Sequence, residues 1–272
     1  MVVARLGTRI YLAIDAASVA AAEVSHGVKT ARLRTLAREP LPAGALLPGP
    51  TGPNLADPQA VQAALGRVLD RVGRGRVTLV LPDGLARLLL VEAPAGVEPR
   101  EFVRFRLGAS LPWPADETSV DTLAAGAGRV IGAAIGRASV AEYEQAARAA
   151  GAQVEQVFLA PLVALSGLLR PGAGEAVHAV LGDVAVCLAF LRDGALAGLR
   201  SRRRDRSDGE AGRLADEMQR LSAAAGNGHA GVTLAFSGSD AARLRADLGV
   251  PSPASGGPPD GDEAGWLGGL LR

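Results

Sequence analysis

Apolar and small residues gather into three short runs near the start of the chain, YLAID over 11–15, SVAAAEV over 18–24 and VKTARLRTL over 28–36. Apolar runs of this length, broken by turn formers, predict strands, and the tight breaks between them make a meander. A Pro/Gly-rich loop over 40–58 follows. Behind Asp57-Pro58, a cap and first-turn pair, Val61, Leu65, Val68, Leu69 and Val72 recur at helical spacing and predict a helix lying on a sheet. VTLVLP over 77–82 is a continuous apolar run and reads as a buried strand, and LARLLLVEAP over 85–94 as another. A helix over 99–110 comes next, then strands over 119–125 and 129–136 joined by Gly126-Ala127-Gly128. From Ser139 the rhythm changes to helix to about 150, strand over 153–159 and helix over 160–169, a crossover of the kind that builds parallel sheet.

The second half repeats the plan. Strands over 176–181, 185–191 and 195–199 form a second meander, with Arg192-Asp193-Gly194 as one hairpin turn. A helix over 209–225, a strand over 232–236 and a short helix over 241–248 complete it. Two copies of meander, helix, strand and helix predict a duplicated fold. Residues 251–263 are rich in Pro, Gly, Ser and Asp and predict a mobile tail, ending in an apolar segment over 266–271 that would pack back.

Composition narrows the functional classes. With 272 residues, 48% hydrophobic and 21% charged, the chain is expected to be a folded α/β protein. Lys and Arg total 29 against 28 Asp and Glu, so no overall field attracts nucleic acid or an anionic membrane. Locally, Arg200, Arg202, Arg203, Arg204 and Arg206 form a basic run, which reads as a solvated loop between strand and helix in preference to a site for an acidic partner. No apolar run approaches the roughly 20 residues that span a bilayer, so direct membrane insertion is not expected. The single cysteine, Cys187, lies in an apolar run and reads as a small buried hydrophobe of a protein in a reducing cytoplasm. His26, His178 and His229 have no metal-ligand spacing, and Ser18, Ser237 and Ser239 lack a nucleophile-elbow motif. Gly126, Gly128, Gly132 and Gly136 are spaced like a dinucleotide loop, but RVIGAAIG after them reads as strand.

One family combines these features. The first meander, with Asp15 at the end of its first strand, has the shape of an actin-like phosphate-binding hairpin. VTLVLPDGLARLLLVEAP, EFVRFRLGASLPWPADETSVDTLAA and VIGAAIGRASVAEYEQAARAAGAQVEQVFLAPLVAL together resemble the PilM family of type IV pilus assembly proteins, over about 11–248. More distantly the chain is similar to the cytoplasmic domain of GspL secretion proteins, and through both to actin and FtsA. The resemblance implies an α/β, duplicated actin-like (ribonuclease H-like) fold with a small inserted αβ subdomain and a reduced second half. Its parts would be 1–75 with 137–170 as the first subdomain, 76–136 as the insert, 171–250 as the second subdomain and 251–272 as a flexible tail.

The same resemblance implies a function. It suggests a non-catalytic cytoplasmic scaffold, peripheral at the inner membrane, of a type IV pilus or type II secretion platform. The scaffold would capture a short peptide of a PilN-like or GspL/GspM-like inner-membrane protein, and homo-oligomers fit the family as well. Candidate partner-binding residues are Phe102, Arg104, Phe105, Arg106, Leu111 and Trp113 of the insert. For Phe102 and Phe105, spaced i and i+3, the plainer reading is the buried face of a helix.

Departures from the family fall on the nucleotide site. Where the family carries D-I-G-S-S-S-V-K, this chain has Asp15-Ala16-Ala17-Ser18-Val19-Ala20, without the glycine that lets a phosphate approach the backbone. In the second loop Gly182 is expected on the family's glycine with Val180 in place of its carboxylate, and Asp183 could substitute only if the alignment slips. The adenosine motif is reduced to Ser237-Gly238-Ser239 ahead of a helix, a remnant that could still cradle a ligand. Between Leu199 and Val232 only 32 residues remain for the subdomain that closes over adenine. The expectation is therefore a degenerate site at Asp15, Ser18, Gly182, Asp183 and Gly238 and no cofactor. Mg-ATP stays as the disfavoured alternative, in which the protein is an ATP-binding switch or an enzyme of the sugar kinase, heat-shock ATPase and actin superfamily.

Overall fold

In the computed structural model, residues 7–27, 30–169, 175–224, 233–238, 240–250 and 266–267 are described. The first meander consists of β1 (Gly7–Ile14), β2 (Ser18–His26) and β3 (Ala31–Pro40). The start of the third run, at 28–29, lies outside the described residues. β3 continues to Pro40, beyond the expected end, because Pro40 still faces Ser18 across the pair. Asp57 caps α1 (Pro58–Val72) by accepting from the Ala60 N–H, and Pro58 fills the first turn. β4 (Arg76–Leu81) then pairs parallel with β1. After the insert, α3 (Arg137–Ala149) leads into β8 (Gln153–Leu159), which pairs parallel with β4, and α4 (Ala160–Ser166) follows.

The resulting sheet has the order β3-β2-β1-β4-β8. Leu12, Ile14, Val19 and Ala21 on one face pack with Leu65, Leu69 and Tyr143 of α1 and α3. Tyr11, Ala13, Ala22 and Val24 on the other face pack with Val163 of α4 and with Leu267 near the end of the chain. The expected packing-back of the terminal segment is thus realised at Trp266 and Leu267, while 251–265 and 268–272 lie outside the described residues.

The second sheet has β9 (Ala176–Leu181), β10 (Ala185–Arg192), β11 (Ala195–Arg203) and β12 (Thr233–Gly238), in the order β11-β10-β9-β12 with β12 parallel to β9. In both sheets the meander reads third, second, first, with a parallel strand beyond the first. The turns agree as well: Asp15 N–H donates to Ser18 O, and Gly182 N–H donates to Ala185 O. α5 (Glu210–Ala224) and α6 (Ala241–Asp247) cover one face, where Val186, Leu188 and Phe190 meet Leu214, Met218 and Leu244. The other face carries Cys187, Ala189 and Leu191. β10 is buried on both faces, which is why its sequence is apolar without alternation.

Between β4 and α3 stands the small unit, a sheet of order β5-β7-β6 from β5 (Arg87–Glu92), β6 (Thr118–Gly126) and β7 (Arg129–Gly136), with α2 (Pro99–Gly108). Val103 and Leu107 of α2 pack on Val91, Val120 and Ala134. Its opposite face, through Ala125, Ile131, Leu88 and Leu90, meets Cys187, Ala189 and Leu196 of the second sheet. The Arg129 side chain seals this contact by donating to Leu196 O at 3.2 Å.

Two expectations fail here. Arg200–Arg206 is not a solvated loop, because β11 continues to Arg203, so Arg200 and Arg202 reach Glu217 of α5 at 3.2 and 2.7 Å. Nor do Phe102 and Phe105 form the buried face of α2: Val103 and Leu107, at i and i+4, do so, leaving Phe105 80% exposed and Phe102 partly buried at the rim.

Candidate functional site

The turns after β1 and β9 face each other across a small cleft of about 50 Å³ between the two large sheets. Asp15, Asp83, Gly182 and Gly238 line its polar end, with Leu159 and Trp266 among its apolar walls. Of the expected site residues the structure brings Asp15, Gly182, Asp183 and Gly238 together here. It also brings Asp83, which the sequence hid inside a Pro-Asp-Gly turn after β4.

Asp83 is buried, and its Oδ2 accepts the Ala185 N–H at 2.8 Å across the cleft. Its Oδ1 is buried without a hydrogen-bond partner. Gly182 is required by this carboxyl, since a side chain there would bring a Cβ 1.9 Å from Asp83 Oδ2. At Gly182, expected in the degenerate nucleotide site, the space left by the missing side chain holds the Asp83 carboxyl. Gly182 stands at the turn position of Asp15, and Val180 is a core residue of β9 packed on the insert side.

Asp183 reaches the other way. Its Oδ2 accepts the Ala17 N–H at 3.2 Å, and its Oδ1 accepts from the Arg206 guanidinium at 2.7 Å. Asp15 accepts the Ala16 N–H at 2.8 Å. Burial, then the charges of Asp183 and Asp83, push the Asp15 carboxyl well above the usual range. Burial likewise pushes the Asp83 carboxyl up to about 7, against the pull of the Ala185 and Val184 N–H groups. The nearby thiol of Cys187 is pushed up to about 12, first by burial and then by Asp83, which suits a packed side chain and not a nucleophile. Among the described residues no group of three or more His, Cys, Asp or Glu is arranged to hold a metal ion.

Ser18 does not face the cleft centre as expected. It is buried, and its Oγ accepts from Arg38 of β3 at 3.0 Å. Gly238 is likewise a packing requirement: with φ +93° and a would-be Cβ 2.0 Å from Leu181 O, it lets β12 close against β9. Ser237 Oγ is hydrogen-bonded to His178 Nε2 at 2.9 Å, and Ser239 lies outside the described residues. The N-terminal end of α6, the expected adenosine remnant, is occupied by ion pairs. Arg204, with 1% of its side chain exposed, is paired with Glu210 and, at 2.8 Å, with Asp240; Arg243 reaches the same Glu210 at 2.9 Å. Arg204 also donates to Gly182 O at 2.7 Å, tying this network to the turn. Burial would raise the Glu210 carboxyl, but the hydrogen bonds of Arg204 and Arg243 outweigh it and hold it below the usual range.

The expected partner-binding residues are divided between surface and frame. Phe105 and Arg106 are exposed on α2, and Arg104 beside them pairs with Glu101 at 2.6 Å. Phe102 and Leu111 are partly buried against the small core under α2. Trp113 is half-buried. Its Nε1 donates to Pro50 O at 2.7 Å and its ring lies against Gly136, pinning the insert to the loop before α1.

No protein-family profile matches the chain, and no curated protein matches it either. Solved structures do. A chain of the PilM-PilN type IV pilus biogenesis complex is similar over 89% of this chain and 86% of its own, with a TM-score of 0.63 at 20% identity. The cytoplasmic domain of EpsL, an inner-membrane component of the type II secretion system of Vibrio cholerae, covers 84% of this chain and 82% of its own, with a TM-score of 0.51 at 10% identity. A Bacteroides thetaiotaomicron protein of unknown function with the actin-like ATPase fold covers 89% and 86%, with a TM-score of 0.53 at 10% identity. The chain therefore has an actin-like ATPase fold, mixed α/β with several sheets.

Proposed function

We propose that this actin-like chain is a non-catalytic scaffold of a type IV pilus or type II secretion platform, lying in the cytoplasm and held at the inner membrane through a PilN-like or GspL/GspM-like partner. One observation carries the reading, the likeness over 89% of the chain to a component of the PilM-PilN complex. Among the described residues no helix is long and apolar enough to cross a membrane, which agrees with a membrane link through a partner. In this reading the two large sheets with equal strand order are the halves of a duplicated fold. The small unit of β5, α2, β6 and β7 is an insert that begins after β4 and not at 76, since β4 belongs to the first sheet, and the second half, 171–250, lacks most of an adenine-covering subdomain.

The fold family implies Mg-ATP, and the residues present do not fit a triphosphate. The Ala17 and Ala185 N–H groups already bond carboxylates, the space at Gly182 is filled by Asp83, and the helix end beyond Gly238 holds an Arg-carboxylate network. A polyanion entering beside three carboxyl groups would meet repulsion, with the Ala17 and Ala185 amides already engaged. This supports a nucleotide-free role.

Phe105, with Arg104 and Arg106 on either side, is the surface offered to the partner, since an aromatic side chain 80% exposed among guanidinium groups suits a short apolar segment with an acidic flank. Calorimetric titration with the N-terminal peptide of the PilN-like protein from the same genome tests it. We expect saturable binding weakened about tenfold or more by Phe105→Ala, with unchanged thermal stability, and no heat from millimolar Mg-ATP. Saturating heat with Mg-ATP and none with the peptide would move the protein to the ATP-binding class.

A further inference from the structure

We propose that the cleft is held shut from within by a reciprocal carboxyl clasp, in which each half of the molecule lends a carboxyl to a backbone N–H of the other. From the first half, Asp83 takes the Ala185 N–H at the start of β10 at 2.8 Å. From the second half, Asp183 takes the Ala17 N–H ahead of β2 at 3.2 Å. The Asp15 carboxyl lies close to Asp183 and Asp83, so the two turns bring three carboxyls together. Backbone N–H groups in facing turns form an anion-binding concavity. Here the anions belong to the chain, so closure needs no ligand. The clasp rests on the nucleotide-free part of the reading above and is independent of the partner.

The charged surroundings give the clasp a direction with pH. The three carboxyls face one another, with Arg206 on Asp183 at 2.7 Å and Arg204 on the Gly182 carbonyl at 2.7 Å. Both arginines also face Asp240 ahead of α6, at 3.6 and 2.8 Å. Among the described residues, Tyr143 of α3 feels the charge of Asp15 and Cys187 of β10 that of Asp83. Both are held neutral by burial, so they neither add nor remove charge near neutral pH. Two guanidinium groups, shared with Asp240 and, for Arg204, with Glu210, cannot neutralise three ionised carboxyls of which Asp83 is buried. Protons must make up the difference, and their loss at higher pH favours separation of the turns.

The two backbone amides report the clasp directly. Amide hydrogen exchange at Ala17 and Ala185, corrected for the intrinsic pH dependence, should show protection near pH 6 that falls about tenfold or more by pH 9 in the wild type. Asp83→Asn keeps an acceptor without a charge and should hold Ala185 protection across that range. Asp83→Ala should lose Ala185 protection at both ends. Mg-ATP should change neither amide. The clasp is overturned if wild-type protection is flat with pH, or if Asp83→Asn and Asp83→Ala both exchange like the wild type. A rise in protection that appears only with Mg-ATP overturns the clasp together with the nucleotide-free reading, whereas failure to bind the partner peptide leaves these exchange rates untouched.

Discussion

A buried carboxyl with one free oxygen is costly when ionised, and Asp83 is such a group. Its folded-state pKa of about 7 lies above the ordinary 3.8, so between these values the folded protein keeps a proton that the unfolded chain releases. The contribution of Asp83 to stability should therefore be greatest below about pH 4, fall as pH rises to about 7 and level off above, with Asp15 adding a fall of the same sign and Glu210, held below its usual range, a loss of the opposite sign in acid. Urea unfolding of Asp83→Asn from pH 4 to 8 should show a visibly flatter profile than the wild type; an unchanged slope would mean that Asp83 is ionised throughout. At Gly238 the constraint is steric. A methyl group would meet a backbone carbonyl at 2.0 Å on a residue with φ +93°, and we expect Gly238→Ala to cost about 3 kcal/mol or more, read as a lowered unfolding midpoint. Asp15 was legible in the sequence as the residue ending a strand. Asp83 was not, because Pro-Asp-Gly is a common surface turn and only the missing side chain of Gly182, 99 positions away, makes room for its carboxyl.

Elements set which charges meet. The basic run looked like a loop because consecutive arginines rarely signal a strand, yet pairing with β10 carries Ala185 against Arg203 and extends β11. From there Arg204 turns inward to Glu210 at the start of α5. Burial of this pair makes it sensitive to loss of one partner: Glu210→Gln should destabilise by about 3 kcal/mol, with a smaller loss when Arg204 is replaced by Met in the same protein. Chemical denaturation of the single and double variants measures the coupling, and equal losses would count against a tightly coupled pair. On α2 the i and i+3 spacing of Phe102 and Phe105 was read as a core face. The sheet beneath instead receives Val103 and Leu107, and Phe105 is turned to solvent. Helical periodicity gives the candidate faces, and the position of the sheet selects among them.

For the whole molecule, long-range packing joins parts that are far apart in sequence. Leu267, 5% exposed, lies with Tyr11, Ala22 and Val24 on the first sheet, and Trp266 beside it forms part of the cleft wall. Leu267→Ala should cost about 2–3 kcal/mol and lower the melting temperature by several degrees, with hydrogen exchange rising first on β1 and β2. A loss confined to the chain end would mean that the contact contributes nothing to the sheet. The insert is not a free lobe, since its inner face packs on the second sheet and Trp113 ties it to the loop before α1. By itself the sequence determined the elements, their order and the repeat of the meander, because hydrophobic period, caps and turn residues are local properties. Tertiary structure alone decided that Asp83 joins Asp15 and Asp183, that Phe105 is exposed while Trp113 is tied to the loop before α1, and that the arginine run closes a helix end. These depend on burial and on contacts between distant segments, which fix the environment of a side chain and leave no periodic mark in the chain.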